Sequence, residues 1–236
     1  MKKLNELYEG KAKKVFQTDN QNYYIVSYKD DATAFNGEKK GSIDDKGIVN
    51  NIMSNILFKE IEKKGIPTHF VKELNKRDTL VKALKIIPLE VIIRNIAAGS
   101  FSKRYGVKEG TPLLKATLEF SYKDDNLGDP LINDDHILAL GFATEEEIKK
   151  IKDYSFRVNE ILKKYFFSKG MKLIDFKLEF GKTFNGEKIV LADEISPDTI
   201  RIWDIKTGKK MDKDRFRQDL GNVEETYQEV LKRVSE

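Results

Sequence analysis

The residues with the most chemical potential lie in Met171-Lys-Leu-Ile-Asp-Phe-Lys-Leu-Glu-Phe180. Side chains alternate along a strand, so Asp175, Lys177 and Glu179 share one face while Ile174, Phe176, Leu178 and Phe180 form an apolar one. The next strand ends in Asp193-Glu194, just before Ser196-Pro-Asp198. Register decides whether the two sets meet. A strict two-residue Asn185-Gly186 turn sets Asp193 opposite Leu178, on the apolar face. A three-residue loop, Phe184-Asn185-Gly186 with the glycine left-handed, sets Asp193 opposite Lys177, and this is the register expected. Two carboxylates and an ammonium on one face suit Mg²⁺ carried with nucleotide phosphates, because that ion takes one or two carboxylates and leaves its other positions to phosphate and water.

Other segments offer anion sites. Gly10-Lys-Ala-Lys-Lys14 is a turn whose glycine permits close backbone approach and whose lysines can neutralise phosphate. It is not a Walker loop, and alone it reads more readily as a solvated basic turn. Arg94-Asn-Ile-Ala-Ala-Gly-Ser100-Phe-Ser-Lys-Arg104 follows a strand and opens a short helix, gathering backbone N–H groups, a hydroxyl and guanidinium groups. Arg201, close to the acidic hairpin, is suited to a bidentate clamp or to a structural ion pair. Lys123 to Asp129 is a polar turn. His69 and His136 lack metal-ligand spacing, and no serine stands in a G-x-S-x-G elbow.

The elements that position these groups follow from pattern. Residues 5–29 read as two strands about the glycine-lysine turn, the second being Tyr23–Lys29, with a loop from Asp30 to Gly41. From Asp44 to Lys64, Ile48, Ile52 and Ile56 recur beside Val49, Met53 and Leu57 on one helix face, stopped by Gly65 and Pro67. Thr68–Leu74, Thr79–Leu84 and Leu89–Arg94 are spaced as an antiparallel meander, with Pro88 as a connector. Thr144 and Glu147 form a capping box that opens a helix to Lys169, with Ile148, Ile151, Val158, Ile161, Leu162 and Tyr165 inward. Strands 171–180 and 187–194 follow, then helices near 212–219 and 222–234. The fold class expected is α+β.

Composition bounds the answer. The 236 residues include no cysteine, which excludes thiol catalysis, zinc ribbons and iron–sulfur ligation and points to the cytoplasm. Apolar runs are too short for a membrane span. The formal charge of +4 is uneven: residues 1–118 carry 22 Lys/Arg against 14 Asp/Glu. The basic residues alternate with acids, which favours phosphate on a small molecule over nucleic acid.

Taken together, six segments resemble the SAICAR synthetase family end to end. They are Leu7–Lys13, Gly65–His69, Val91–Ser100 with Lys103-Arg104, Asp175–Gly181, Asp193–Asp198 with Arg201 and Trp203-Asp204, and Asp214–Gly221. The resemblance implies a two-lobed ATP-grasp-like architecture with antiparallel sheets and flanking helices, residues 1–86 forming one lobe and 87–236 the other. It implies ATP and Mg²⁺ as cofactors, and carboxyaminoimidazole ribonucleotide (CAIR) and L-aspartate as substrates joined through an acyl phosphate. By the same likeness Gly10, Lys11, Ala12, Lys13 and Val15 cover the nucleotide, Lys82, Leu84 and Ile86 flank it, and Glu179 with Asp193 hold the metal. Arg94, Ser100 and Arg201 grip the ribonucleotide; Asp129, Lys177 and Asp198 contact substrate; Lys13, Lys123 and Lys177 act in catalysis. A cytoplasmic homodimer that binds neither nucleic acid nor membrane completes the expectation.

Overall fold

The computed structural model describes residues 1–34, 37–184, 186 and 188–236. Two antiparallel sheets carry the fold. In the first, β1 (Lys3–Glu9), β2 (Lys13–Thr18), β3 (Tyr23–Tyr28), β6 (Phe70–Glu73) and β7 (Asp78–Lys82) run in the order β1-β2-β3-β7-β6. Between β3 and β6 the chain forms the small hairpin β4 (Asp31–Ala34) and β5 (Lys39–Ser42), then the helix α1 (Lys46–Glu62). Three strands therefore occupy the stretch expected to hold two. The hairpin also replaces much of the loop expected over 30–41, since Asp31 pairs with Ser42 and Ala34 with Lys39.

The second sheet begins with β8 (Lys85–Ile96), which pairs with β9 (Pro112–Tyr122) and β11 (Met171–Lys182) rather than with β7. The expected three-strand meander is thus split between sheets. Pro88 lies inside β8 and not in a connector. It is tolerated because the register against β11 shifts between Glu179 and Gly181, a bulge where no N–H is required of it. β10 (Leu131–Ile132) and β12 (Ile189–Ala192) flank the order β10-β9-β8-β11-β12, and β13 (Ile200–Asp204) pairs with the start of β11. Segment 67–69 joins the sheets: His69 N–H donates to Leu191 O at 2.8 Å, and Lys82 N–H donates to His69 O at 2.7 Å.

Helices cover the sheets. Four of them, α2 (Gly99–Tyr105), α3 (Asp134–Ala139), α4 (Glu145–Ser168) and α5 (Asp214–Arg217), precede the terminal α6 (Val223–Ser235); α5 is half the length expected. Thr144 and Glu147 form the capping box of α4, whose Ile148, Ile151, Val158, Leu162 and Phe166 join Val91, Ile93, Phe176, Leu178 and Phe180 in one core. That packing uses the apolar face of β8 and β11 and leaves their charged face for a cavity. Helix α1 is buried on more than its apolar face, and Asn55 Nδ2 donates to Thr79 Oγ1 at 2.8 Å. No described helix is long and apolar enough to cross a membrane.

Two substitutions separate cap from core. Thr144→Ala removes the cap bond and lowers unfolding free energy by about 1 kcal/mol, whereas Leu162→Ala opens a core cavity and costs about 2–5 kcal/mol. Urea denaturation measures both; equal losses would contradict the assignment of α4 as the core helix.

Candidate active site

The uncovered faces of the two sheets enclose a cavity of about 740 Å³. Every residue named from the sequence for nucleotide, metal, substrate or catalysis lines it: Gly10, Lys11, Ala12, Lys13 and Val15; Lys82, Leu84 and Ile86; Arg94, Ser100, Lys123 and Asp129; and Lys177, Glu179, Asp193, Asp198 and Arg201. Sheet register explains the central group. In β11 and β8, Asp175 pairs with Arg94, Lys177 with Ile92 and Glu179 with Glu90, so one charged row faces the cavity.

Three lysines and four carboxylates converge there. Lys13, from the first sheet, contacts Asp193 and lies 3.3 Å from Glu194. Lys177 Nζ lies 2.6 Å from Glu179, 2.9 Å from Glu90 and 3.5 Å from Asp193, and Lys123 reaches Glu179 at 2.7 Å. Burial alone would lower the lysine pKa values, but Asp193 and Glu194 hold Lys13 above its ordinary range, and Glu179 and Asp193 do the same for Lys177. Lys123 is raised against burial by Glu179. Burial would raise Asp193, yet Lys13, Lys177 and Lys123 hold it well below the usual carboxylate range. All four groups are therefore charged at neutral pH.

Asp193 reaches this cluster by a route the sequence did not disclose. Glu179 pairs with Ala192 and Lys182 with Ile189, so continued pairing would set Asp193 opposite Leu178, the register that was expected to destroy the site. Pairing stops at Ala192. Asp193 then adopts φ 62°, a left-handed conformation that aspartate tolerates better than most residues, and its side chain meets Lys13 and Lys177. The expected Asp193–Lys177 strand pairing is thus wrong although the two side chains meet. Gly186 has φ 73°, as the loop reading required, while Asn185 lies outside the described residues.

A second cluster is built around Asp175, which the sequence placed on the charged face without a role. Arg94 donates to Asp175 at 3.0 Å, to Glu119 at 2.8 and 2.9 Å and to Ser100 at 3.2 Å. Arg201 donates to Asp175 at 3.0 Å and to Asp214 at 2.8 Å. Arg94 is only 2% exposed, so structural ion pairing occupies much of a guanidinium read as a substrate grip. Gly99 is required beside it: its φ is 54°, and a Cβ there would stand 2.5 Å from the Arg201 guanidinium. At the cavity mouth, Lys11 meets Asp125 at 2.6 Å and ties the glycine-lysine turn to the 123–129 loop.

The donor set was tested for magnesium. Among the described residues no group of three or more His, Asp or Glu could hold a metal alone. Glu179 and Asp193, both within 3.5 Å of one ammonium, form a partial set that fits an ion whose remaining ligands are phosphate and water. His69 is not a ligand of this kind. It is buried beside Phe58, with ring centroids 5.2 Å apart, and burial first, then Lys13, push its pKa down to about 3.

An unfolded histidine takes up its proton near pH 6.5, so between that value and 3 the unfolded state binds more protons and stability falls as pH is lowered. The slope from one such group is about 1.4 kcal/mol per pH unit. Denaturation at pH 7 and pH 5 should therefore show a smaller acid loss for His69→Gln than for the wild type, by about 2 kcal/mol; equal losses would show that His69 titrates normally.

Comparison with known proteins places this geometry. The family model for SAICAR synthetase matches residues 6–234. A phosphoribosylaminoimidazole-succinocarboxamide synthase from Lachnoclostridium phytofermentans is 62% identical over 234 residues, covering 99% of each chain. The crystal structure of the enzyme of that name from Ehrlichia chaffeensis superposes with a TM-score of 0.96 at 51% identity, covering 98% of each chain. A SAICAR synthetase solved in complex with ADP matches with a TM-score of 0.93 at 49% identity over 96% of each chain. Over nearly its whole length, in sequence and in backbone, the chain belongs to the SAICAR synthetase family.

Proposed function

We propose that the protein is an ATP-dependent ligase of purine biosynthesis that joins L-aspartate to the carboxylate of CAIR. The observation that carries this reading is the buried lysine–carboxylate cluster contributed by both sheets, in a chain whose family membership spans residues 6–234. A CAIR carboxylate oxygen attacks the γ-phosphorus of ATP, the bond to the β-phosphate oxygen breaks, and ADP leaves. The aspartate amine then attacks the acyl carbon, the acyl C–O bond breaks so that phosphate leaves with that oxygen and the bonding electron pair, and the nitrogen loses a proton to give the succinocarboxamide.

The chain's own residues would serve these steps by fixed charge. Lys13, Lys123 and Lys177, each held protonated by carboxylates, bind oxygens of the transferring phosphoryl group, where charge placed in advance needs no reorganisation. Gly10 to Lys13 with Val15 cover the nucleotide, and Lys82, Leu84 and Ile86 flank it. That a similar SAICAR synthetase was solved in complex with ADP supports nucleotide binding by this fold. Glu179 and Asp193 would hold Mg²⁺, which supplies neutralisation of phosphate charge. Arg94, Ser100 and Arg201 orient the ribonucleotide, with Asp129 and Asp198 nearby. The lobes 1–86 and 87–236 close on the ligands, and the Lys11–Asp125 contact helps shield the acyl phosphate from water. A cytoplasmic homodimer fits the same reading by family likeness.

Product analysis tests it. Phosphate release from ATP should require CAIR, and labelled aspartate should enter the product; a stable phosphorylated product with no aspartate would make the protein a kinase. Glu179→Gln should lower kcat by at least about a hundredfold, the scale for losing one preorganised electrostatic group, and should raise the Mg²⁺ needed for half-maximal rate. Unchanged turnover at both low and saturating Mg²⁺ would remove Glu179 from the metal site.

A further inference from the structure

Lys213 is the buried cation of the cavity that the roles above leave without a task. Its side chain is 12% exposed, yet among the described residues its Nζ donates no hydrogen bond, and its one ion-pair partner, Asp198, is 3.7 Å away. Asp198 is already satisfied. Its Oδ2 accepts from the fully buried Lys46 at 2.7 Å, and its Oδ1 accepts from the Tyr227 hydroxyl at 2.8 Å. Burial, with Arg217 and Lys46 adding to it, lowers the Lys213 pKa, as expected of an ammonium whose surroundings supply too little negative charge. A desolvated ammonium in a cavity wall, with its only carboxylate committed elsewhere, is a site for an anion brought by a ligand.

The neighbours narrow the anion. Arg217 ends the short helix α5 that Lys213 caps, its N–H donating to Lys213 O at 3.0 Å, and uses Nη1 on Asp214 at 2.7 Å while lining the same cavity. The hairpin β4–β5 lines the cavity too, through Thr33, Ala34 and Gly37, and is fastened to α5 by Lys39 Nζ, which donates to Phe216 O at 2.7 Å. On the inner side, the turn carrying Asp198 also carries Thr199, whose carbonyl accepts the Lys177 N–H at 2.8 Å. Lys213 therefore lies one turn of chain from the phosphoryl-handling cluster, and the adjacent Asp214, which accepts from both Arg217 and Arg201, connects it to the edge of the Arg94–Arg201–Asp175 group. In the reading above Arg94, Ser100 and Arg201 already grip the ribonucleotide, and Lys13, Lys123 and Lys177 the phosphoryl group, which leaves a carboxylate of the amino-acid substrate as the anion still without a cation.

We infer that Lys213, assisted by Arg217, binds a carboxylate of the amino-acid substrate and so sets the enzyme's requirement for an acidic amino acid. This rests on the ligase reading above. Lys213→Met keeps the apolar stem, removes the charge and breaks no hydrogen bond. It should raise the KM for L-aspartate about tenfold to a hundredfold, the scale of one charge-assisted hydrogen bond, with the KM values for ATP and CAIR within about threefold of wild type. If that variant does not fold, Lys213→Gln is read in the same way. A rise confined to CAIR would assign the lysine to phosphate, and a fall in kcat with no change in the aspartate KM would make it structural; either overturns the inference. A calorimetric titration with succinate in the presence of ADP is independent of turnover. Wild type should bind the dicarboxylate at least about tenfold more tightly than Lys213→Met, and equal binding would overturn the site. Should wild type form no aspartate-dependent product, the ligase reading fails, while the succinate titration still decides whether Lys213 is a carboxylate site.

Discussion

The ammonium group of Lys13 stands between Asp193 and Glu194, and this contact joins charge from the first sheet to charge from the second. Around it Lys177 and, from the exposed rim, Lys123 complete a network of largely buried carboxylates in which each is matched by lysine. Removing one partner of such a network leaves an uncompensated buried charge, which typically costs about 3–5 kcal/mol. That penalty favours a network that is complete when the sheets approach, so the same charges that would handle phosphate also fix the cavity between them. Aliphatic packing shares the task away from the cavity, since Phe70 of β6 and Met53, Leu57 and Phe58 of α1 belong to the same core as β8, β11 and α4.

Local backbone features translate the sheet into a site. The left-handed turn at Asp193 redirects a side chain that the strand register would have sent into the core. Gly99 lets the Arg201 guanidinium approach the start of α2 more closely than any side chain would allow. The bulge about Pro88 shifts β8 between Ile86 and Glu90 and leaves the Pro88 carbonyl to accept the Lys123 N–H at 3.0 Å. Each device places one group, Asp193, Arg201 or Lys123, beside the charged row, while the row itself follows from two-residue periodicity. An ATP-grasp-like α+β fold provides the two sheets, and these deviations aim their functional groups.

What could be read from the sequence divides along the same line. The Asp175, Lys177, Glu179 face was legible because alternation is local, and the α4 cap was legible because Thr144 and Glu147 are three residues apart. Family motifs carried the remaining site residues into one cavity. Register was not legible, since it depends on how the 183–188 connection closes and on a backbone conformation at Asp193 that no periodicity encodes. The β4–β5 hairpin escaped because Asp31-Ala-Thr-Ala34 and Lys39-Lys-Gly-Ser42 are short and weakly apolar. His69 and Lys213 were missed as cavity groups, and Lys46 as the buried partner of Asp198, for a different reason. Their meaning lies in partners far away in sequence, such as Lys46 with Asp198, and His69 did stand within a family motif that marked its neighbourhood.

A crystal structure with a non-hydrolysable ATP analogue and Mn²⁺ in place of magnesium tests the central claim most directly. Anomalous scattering locates the ion without reference to the protein map. The peak should lie within bonding distance of Glu179 and Asp193 and of phosphate oxygens, with Lys13 and Lys177 on the same phosphates. A nucleotide bound elsewhere, or an ion with neither carboxylate as a ligand, would contradict the assignment of this cluster as the phosphoryl-transfer centre.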